Sequence, residues 1–548
     1  MIRHGGKLLA DQLVVHGADV AFCVPGESYI PLLDGLYESS VRVITCRHEA
    51  GAANMADAYG KLTGRPGICM VTRGPGATHA SVGIHTAYQD STPLILLVGQ
   101  VGTNALEREA FQELDYRQMF GGTAKWVAQI DRADRIPELV ARAFATACSG
   151  RPGPVVLALP EDVLAAELDV PDAAPFRAVQ PSPSSSDVEQ VAALLETAER
   201  PFAILGGAGW TAPASEGMRA FLEANGIPAG AAFRRQDVLD NESPSYAGDV
   251  GIALNPKLAA RVRDADVLLV VGPRLGEATT SGYTLLDVPT PRQKLVHVHP
   301  GAEELGRVYQ PTLPILAGPE QFASAVAGLR LDRHWHDRAA SAHREYDEWQ
   351  RVDPMPGPLD LAQCIAHMRE RVPDAIVTNG AGNHTLWIHR FWRFRSFPSQ
   401  LAPTSGAMGY GLPAAIAAKL IAPHRPVVCF SGDGDFLMLG QELATAARYD
   451  LPIVVLVVDN GMYGTIRMHQ ERTFPDRVVA TDLVNPDFAA YANAFGAHGE
   501  IVRRTEEFPA AFERALTSGS PAVLSLAVDQ EAIAPHTTLT AVRVGARG

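Results

Sequence analysis

Several things are scarce in this sequence, and each scarcity excludes something. Its six cysteines are scattered, with no paired pattern and no CxxC. A disulfide scaffold is therefore excluded, and a reducing compartment is expected. No apolar run reaches 18 residues without a polar break, so no membrane span is expected. The first residues, MIRHGGKLLADQLVVHG, have no long apolar segment of the secretory kind, and a cytoplasmic location follows as the expectation. Positive charge is in deficit: 47 basic against 61 acidic residues, a formal net charge of -14, which speaks against a nucleic-acid partner. What is present is a 47% apolar composition spread over 548 residues. That is too long for one ordinary core, and three domains are the natural expectation.

The most informative stretch is 431–464, SGDGDFLMLGQELATAARYDLPIVVLVVDNGMYG. An apolar run at 427–430 reads as a buried parallel strand that stops at Gly432-Asp433-Gly434. A helical segment over 439–448 leads to a second strand at 453–458, which ends at Asp459-Asn460-Gly461. Asp433 and Asn460 thus close two neighbouring strands at the edge where open α/β sheets bind ligands. Two oxygen donors with no Cys or His beside them suit a hard cation, Mg²⁺ or Ca²⁺, held together with phosphate. Backbone N–H groups around the glycines suit the anion. The plainer alternative is a βαβ unit with common turn formers.

Earlier in the chain, an amphipathic helix over 5–16 precedes a strand at 20–24 that ends at Pro25-Gly26-Glu27-Ser28. A strand at 41–45 delivers Arg47-His48-Glu49 and a helix over 49–60 with a face of small residues. A glutamate in a first helical turn can be no more than a partner of the helix dipole. A strand at 67–72 runs through Thr72 into Arg73-Gly74-Pro75-Gly76, and Phe111-Gln112 follows a strand at 94–98. The Pro- and Ser-rich stretch 171–187 reads as a surface linker. Beyond it, strands at 201–206, 267–271 and 295–298, with Gly207 after the first, suggest a nucleotide-type crevice. The last unit has a strand at 375–378 ending at Asn379-Gly380. The tail beyond His536 shows no periodicity and is expected to be mobile.

The sequence resembles the thiamine diphosphate enzymes, and in several details the acetolactate synthases. The carriers of the resemblance are GDG with an Asn at this interval, RHEAGAANMADAYGKLTGRPG at 47–67, the GPG turn, and TSGAMGYGLP at 404–413. The resemblance implies three parallel-sheet α/β domains: a pyrimidine-binding domain at 1–168, a Rossmann-like central domain at 187–340 and a diphosphate domain at 359–548, joined by linkers at 169–186 and 341–358. It implies Glu49 as the catalytic carboxylate facing N1′ of the aminopyrimidine, in a cleft where a raised pKa suits proton sharing. Phe111 and Gln112, followed by Lys125 and Trp126, match the pair that lines the acetolactate synthase active site. Mg²⁺ would be held by Asp433, Asn460 and the carbonyl of Met462. The cofactor would further contact Pro25, Gly26, Thr72, Gly76, Asn379, Gly380, Ser405, Gly406, Gly432, Gly434, Asp435, Tyr463 and Gly464, with Met408 as the apolar wedge beneath it.

In acetolactate synthases the central domain holds FAD, and Gly207 and Arg274 fall at the matching positions. Here RLGEATTSG lacks the usual paired aspartates, and Gly318-Pro319 replaces Gly-Asp, so little or no FAD is expected. The implied partners are a small 2-oxo acid or 2-hydroxy ketone and a second copy of the chain, with active sites at the dimer interface. The implied reaction is decarboxylation of a 2-oxo acid with ligation to a second carbonyl. The alternatives are a simple decarboxylase of the same or the oxalyl type, a carbon–carbon lyase on a 2-hydroxy ketone or 2-hydroxyacyl thioester, and a binding protein that has lost catalysis. Pro25 counts against a benzaldehyde-lyase-type member, which carries His in that turn. Intact Glu49, Asp433 and Asn460 count against a pure binder.

Overall fold

The computed structural model describes residues 2–351 and 353–547. Three six-stranded sheets dominate it, each built of parallel strands. In the first, Arg42–Thr45, Val20–Cys23, Gly67–Val71, Leu94–Gln100, Pro154–Pro160 and Trp126–Gln129 lie side by side in that order. The last sheet runs Gln400–Leu401, Ile376–Asn379, Val427–Gly432, Val454–Asp459, Ala522–Ala527 and His498–Val502. In both, the spatial order is second, first, third, fourth, sixth, fifth strand of the unit. The two domains are therefore topological copies, and in each the order reverses between the first and third strands. The crevice at such a reversal lies beyond the strands' C-terminal ends and is where open α/β sheets take ligands. The central sheet differs. Tyr246–Val250, Ala229–Ala232, Pro201–Leu205, Val267–Val271, Lys294–His299 and Leu313–Leu316 give the dinucleotide-fold order, with its reversal between Pro201–Leu205 and Val267–Val271. Buried aliphatic runs such as Ile68–Val71, Leu94–Val98 and Val454–Val457 fill the sheets, as expected where both faces are covered.

By contacts the chain divides into two compact units. The first contains the N-terminal part through Val179 together with Ile416–Ile421 and Leu439–Arg448, and the second contains the rest. Inside the second, the central and last sheets are joined through Asp237, whose carboxylate accepts the Ser399 and Gln400 N–H groups at 3.0 and 3.1 Å. No helix among the described residues is long and apolar enough to cross a membrane.

Several expectations are corrected. The tail is not without order: Leu539–Arg547 is helical, and Arg543 pairs with the buried Glu471 at 2.7 Å. The helix His336–Trp349 runs across the expected boundary at 340/341. The expected linker ending at 186 is shorter, because Ser184 and Asp187 form a reciprocal capping box that starts a helix at Ser185. Asp433 is not in a turn: it is the first residue of the helix Asp433–Leu439, which leaves the strand directly.

Candidate active site

In the first domain, the strand Arg42–Thr45 ends just before the helix Glu49–Thr63, whose N-cap is His48. The His48 ring nitrogen Nδ1 accepts the Ala50 N–H at 3.1 Å. A second carboxylate, that of Glu442, accepts the N–H groups of His48 at 2.9 Å and Arg47 at 3.1 Å. The Arg47, His48 and Ala50 N–H groups at this junction are thus taken by Glu442 and His48. Glu49 is free of that duty. Its Oε2 lies 2.9 Å from His79 Nδ1, and its side chain keeps only 12% of its exposure.

The expected neighbours gather around it. Gly26 sits against Thr72, with no room for a Cβ, which would fall 2.4 Å from the Thr72 Cβ. A Cβ on Gly76 would lie 3.5 Å from Glu49 Oε1, so the absence of a side chain there keeps the approach to the carboxylate open. Pro25 is exposed at the rim of the same turn. His48, Glu49 and His79 offer ligand atoms within 4.8 Å of one another. However, His48 Nδ1 is already an acceptor, so its ring proton belongs on Nε2, and the trio is a better proton-holding cluster than a metal site. Burial, and then the neighbouring His79, pull the His48 pKa down.

Gln112 stands in the left-handed region at φ 66°, against Gly74, and the Phe111 ring is 73% exposed. Arg73 pins this loop by donating from Nε to the Phe111 carbonyl at 3.2 Å, while its other nitrogens pair with Glu27 and Glu161. Lys125 is not at the site: its ammonium donates to the Thr146 and Ser149 carbonyls at the end of the helix Ile136–Cys148, which is a capping task.

In the last domain, a cleft of about 240 Å³ opens at the reversal of strand order. Gly406, Met408, Gly432, Asp433, Gly434, Asp435, Asn460, Met462, Tyr463 and Gly464 all line it. Three expected residues lie behind the lining or beside it. Asn379 is buried and donates to the Gly380 carbonyl at 2.9 Å. Gly380 abuts Asp435, whose oxygens accept from Ser431 Oγ at 2.5 Å and the Gly409 N–H at 2.8 Å. Ser405 borders Gly406 in sequence. Asp435 therefore braces the turns around the cleft. Asn383, His384, Trp387 and Thr465 also line it. His384 is the first residue of the helix His384–Phe391. Its Nε2 is buried without a hydrogen-bond partner, 3.5 Å from Asp435 Oδ2.

Asp433 is 3% exposed. Its Oδ2 accepts the Gly461 N–H at 2.9 Å and the Asn485 amide at 2.8 Å, and that amide also reaches Asp459 at 2.7 Å. Burial raises the Asp433 pKa against the Asn485 hydrogen bond, which lowers it. A buried carboxylate at a strand end, an Asn at the next strand end and an orphaned Asn485 Oδ1 form an oxygen-rich, anionic set. Such a set fits a hard divalent ion with a diphosphate.

The central domain gives a different result. At its reversal point the loops are pinched together: a Cβ on Gly207 would fall 2.1 Å from the Gly272 carbonyl. The crevice between them is filled by protein. Trp210, 6% exposed, donates its indole N–H to the Gly206 carbonyl at 2.7 Å. The Pro319 ring lies 3.1 Å from where a Gly272 Cβ would stand. Pro319 also opens the helix Pro319–Val326 without an N–H for a phosphate. These residues do not fit a dinucleotide whose phosphates rest on the glycine loop. Arg274 lies beyond that loop, half-buried.

The first and last domains share one topology, and each carries a carboxylate where a strand passes into a helix, Glu49 in one and Asp433 in the other, a pairing that points to a class of enzyme. Family models agree: residues 3–119 match the N-terminal TPP binding domain of thiamine pyrophosphate enzymes, 188–326 their central domain and 380–526 their C-terminal TPP binding domain. The chain belongs to the thiamine pyrophosphate enzyme family, and its general chemistry is thiamine-diphosphate-dependent decarboxylation or carboligation. More particularly, it is similar to acetolactate synthase large subunits over nearly its whole length. It is 31% identical over 533 residues to the acetolactate synthase isozyme 2 large subunit of Escherichia coli strain K12, covering 96% of each chain. Identity is 32% over 548 residues with the large subunit of Parasynechococcus marenigrum, covering 96% of this chain and 87% of the relative. With that of Corynebacterium glutamicum it is 32% over 556 residues, at 96% and 87% coverage.

Proposed function

We propose that the protein decarboxylates a 2-oxo acid and ligates the remaining fragment to a second carbonyl, in the manner of its acetolactate synthase relatives. The observation that carries the reading is the Glu49 carboxylate. It stands where the edge strand Arg42–Thr45 passes into its helix, beside Gly76 in the first helical turn after the third strand, with His48 and Glu442 taking the N–H groups around it. Thiamine diphosphate, when bound, supplies the electron sink that no side chain offers. The protein's share is binding, orientation and proton handling. Glu49 holds or yields a proton at its carboxylate, with His79 as its resting partner. Asp433, Asn460 and the Met462 carbonyl would hold Mg²⁺, and the Gly432 and Gly434 backbone would face the diphosphate. Met408 would supply the apolar support beneath the cofactor. Gln112 would hydrogen-bond the acceptor carbonyl without adding a full charge, and Phe111 would exclude water from it. The family resemblance supports a homodimer or a larger assembly, with the first domain of one protomer completing the site on the last domain of its partner.

Release of carbon dioxide across a panel of 2-oxo acids tests the assignment. Turnover of at least one member with loss of CO₂ is expected, and saturable binding without any release would identify a binding protein instead. A lyase would cleave 2-hydroxy ketones and leave the whole panel intact. For an accepted 2-oxo acid, Gln112→Ala is expected to shift products from ligation toward free aldehyde by several-fold. An unchanged product ratio would reduce Gln112 to pocket wall.

The central domain is proposed to hold little or no FAD, a reading supported by Trp210 and Pro319. Protein purified without added flavin is expected to show no flavin absorption bands. Stoichiometric yellow colour would overturn this.

A further inference from the structure

We propose that Glu442 is the positioning residue for Glu49: it fixes the strand-to-helix junction and supplies the negative charge that the helix N-terminus would otherwise take from Glu49. The proposal rests on the catalytic reading of Glu49 given above.

The geometry is closed on every side. Glu442 is completely buried. Its Oε1 accepts the His48 N–H at 2.9 Å and the Arg47 N–H at 3.1 Å, and the latter also reaches Oε2 at 3.3 Å. Oε2 accepts the Thr445 hydroxyl at 2.6 Å. A Cβ on Gly51 would stand 2.4 Å from Oε1, so the helix backbone approaches the carboxylate as closely as a residue without a side chain permits. Glu442 belongs to a short turn, Gly440–Glu442, that continues into the helix Leu443–Arg448. This segment packs in the same compact unit as Glu49 although it lies almost 400 residues later. Anions are favoured at a helix N-terminus because its N–H groups and dipole converge there. Here the anion is built in. With Glu442 on the Arg47 and His48 amides and the His48 ring on the Ala50 amide, Glu49 directs its carboxylate to His79 instead of folding back on its own helix.

A glutamine at 442 would turn an N–H₂ group toward backbone donors and lose part of the clamp. The expected result in Glu442→Gln is deuterium exchange at C2 of bound thiamine diphosphate slowed by about 10- to 100-fold, the scale on which small misplacements of reacting groups act, with cofactor affinity unchanged. In the same protein, backbone amide exchange at Arg47 and His48 should accelerate. Gly51→Ala keeps the carboxylate but displaces it, and should reproduce both effects. It serves if Glu442→Gln does not fold.

A coupling test separates positioning from general stability: Glu442→Gln added to Glu49→Gln should slow C2 exchange no further than Glu49→Gln alone. Wild-type C2 exchange in a folded Glu442→Gln, or losses that simply multiply in the double variant, would overturn the proposal. If Glu49→Gln itself left C2 exchange intact, the reading of Glu49 would fall. Faster amide exchange at His48 in Glu442→Gln would then still establish the clamp on the helix.

Discussion

Glu49→Gln is expected to slow C2 deuterium exchange of bound thiamine diphosphate by about 10²–10⁴-fold, the usual share of a general acid–base group, while folding and cofactor binding stay nearly intact. Glutamine keeps the size and one acceptor of the carboxylate but cannot take up or return a proton. The competing explanation of Glu49, a charge placed to favour a helix dipole, predicts a stability change of ~0.3–1 kcal/mol and no change in exchange. The structure sharpens the contrast between these outcomes. The dipole's anion is Glu442 and the cap is His48, so neutralising Glu49 should leave the melting temperature nearly unmoved. Quenched proton NMR at C2 and a thermal melt on the same preparation decide between the two. Exchange as fast as wild type, with normal cofactor affinity, would remove Glu49 from the chemistry.

The parts of this site that are legible in the sequence are those whose chemistry is written over a short span. GDG and the Asn 27 residues later each end a strand, and the strands are neighbours. RHEAG places a carboxylate at a strand-to-helix junction, where Glu49 is found. The small residues that follow promise a closely packed helix, and Ala50 through Gly60 are buried without exception. Long buried strands such as Leu94–Gln100 are equally plain.

What could not be read depends on distant partners. Glu442 looks like an ordinary residue of a polar helical stretch, and only the fold brings it to amides almost 400 positions away. The strand Ala229–Ala232 has the sequence AGAA, with no β-branched or aromatic residue, and its place is set by its neighbours Pro201–Leu205 and Tyr246–Val250. Lys125 stands at the distance expected for an active-site lysine, yet its ammonium is drawn to helix-end carbonyls. The terminal helix does carry an apolar face, with Leu539 and Val542 packed on Met462 and Met468, but it is short, and its remaining anchor, Arg543 on Glu471, joins residues far apart in the chain.

Asp433→Ala is expected to abolish Mg²⁺-dependent binding of thiamine diphosphate. Partners that merely orient metal ligands are worth about 10–100-fold in metal affinity. Asp433 would be a ligand itself and the main anionic one, so its loss should exceed that range. The hydrogen bonds around it support the expectation. Its Oδ1 accepts the Gly434 N–H at 2.8 Å, and its Oδ2 accepts the Gly461 and Asn485 donors. Each oxygen is thereby aimed, and burial makes an uncompensated charge there costly. A divalent ion would relieve that cost, so carboxylate and metal should stabilise each other, and removing either should have the same effect on the cofactor. Calorimetric titration of thiamine diphosphate into wild type with Mg²⁺, wild type with EDTA, and Asp433→Ala with Mg²⁺ should give strong binding in the first case and comparably weak binding in the other two. Wild-type affinity in Asp433→Ala would remove the metal from this strand end, and wild-type affinity in EDTA would remove it from cofactor binding altogether.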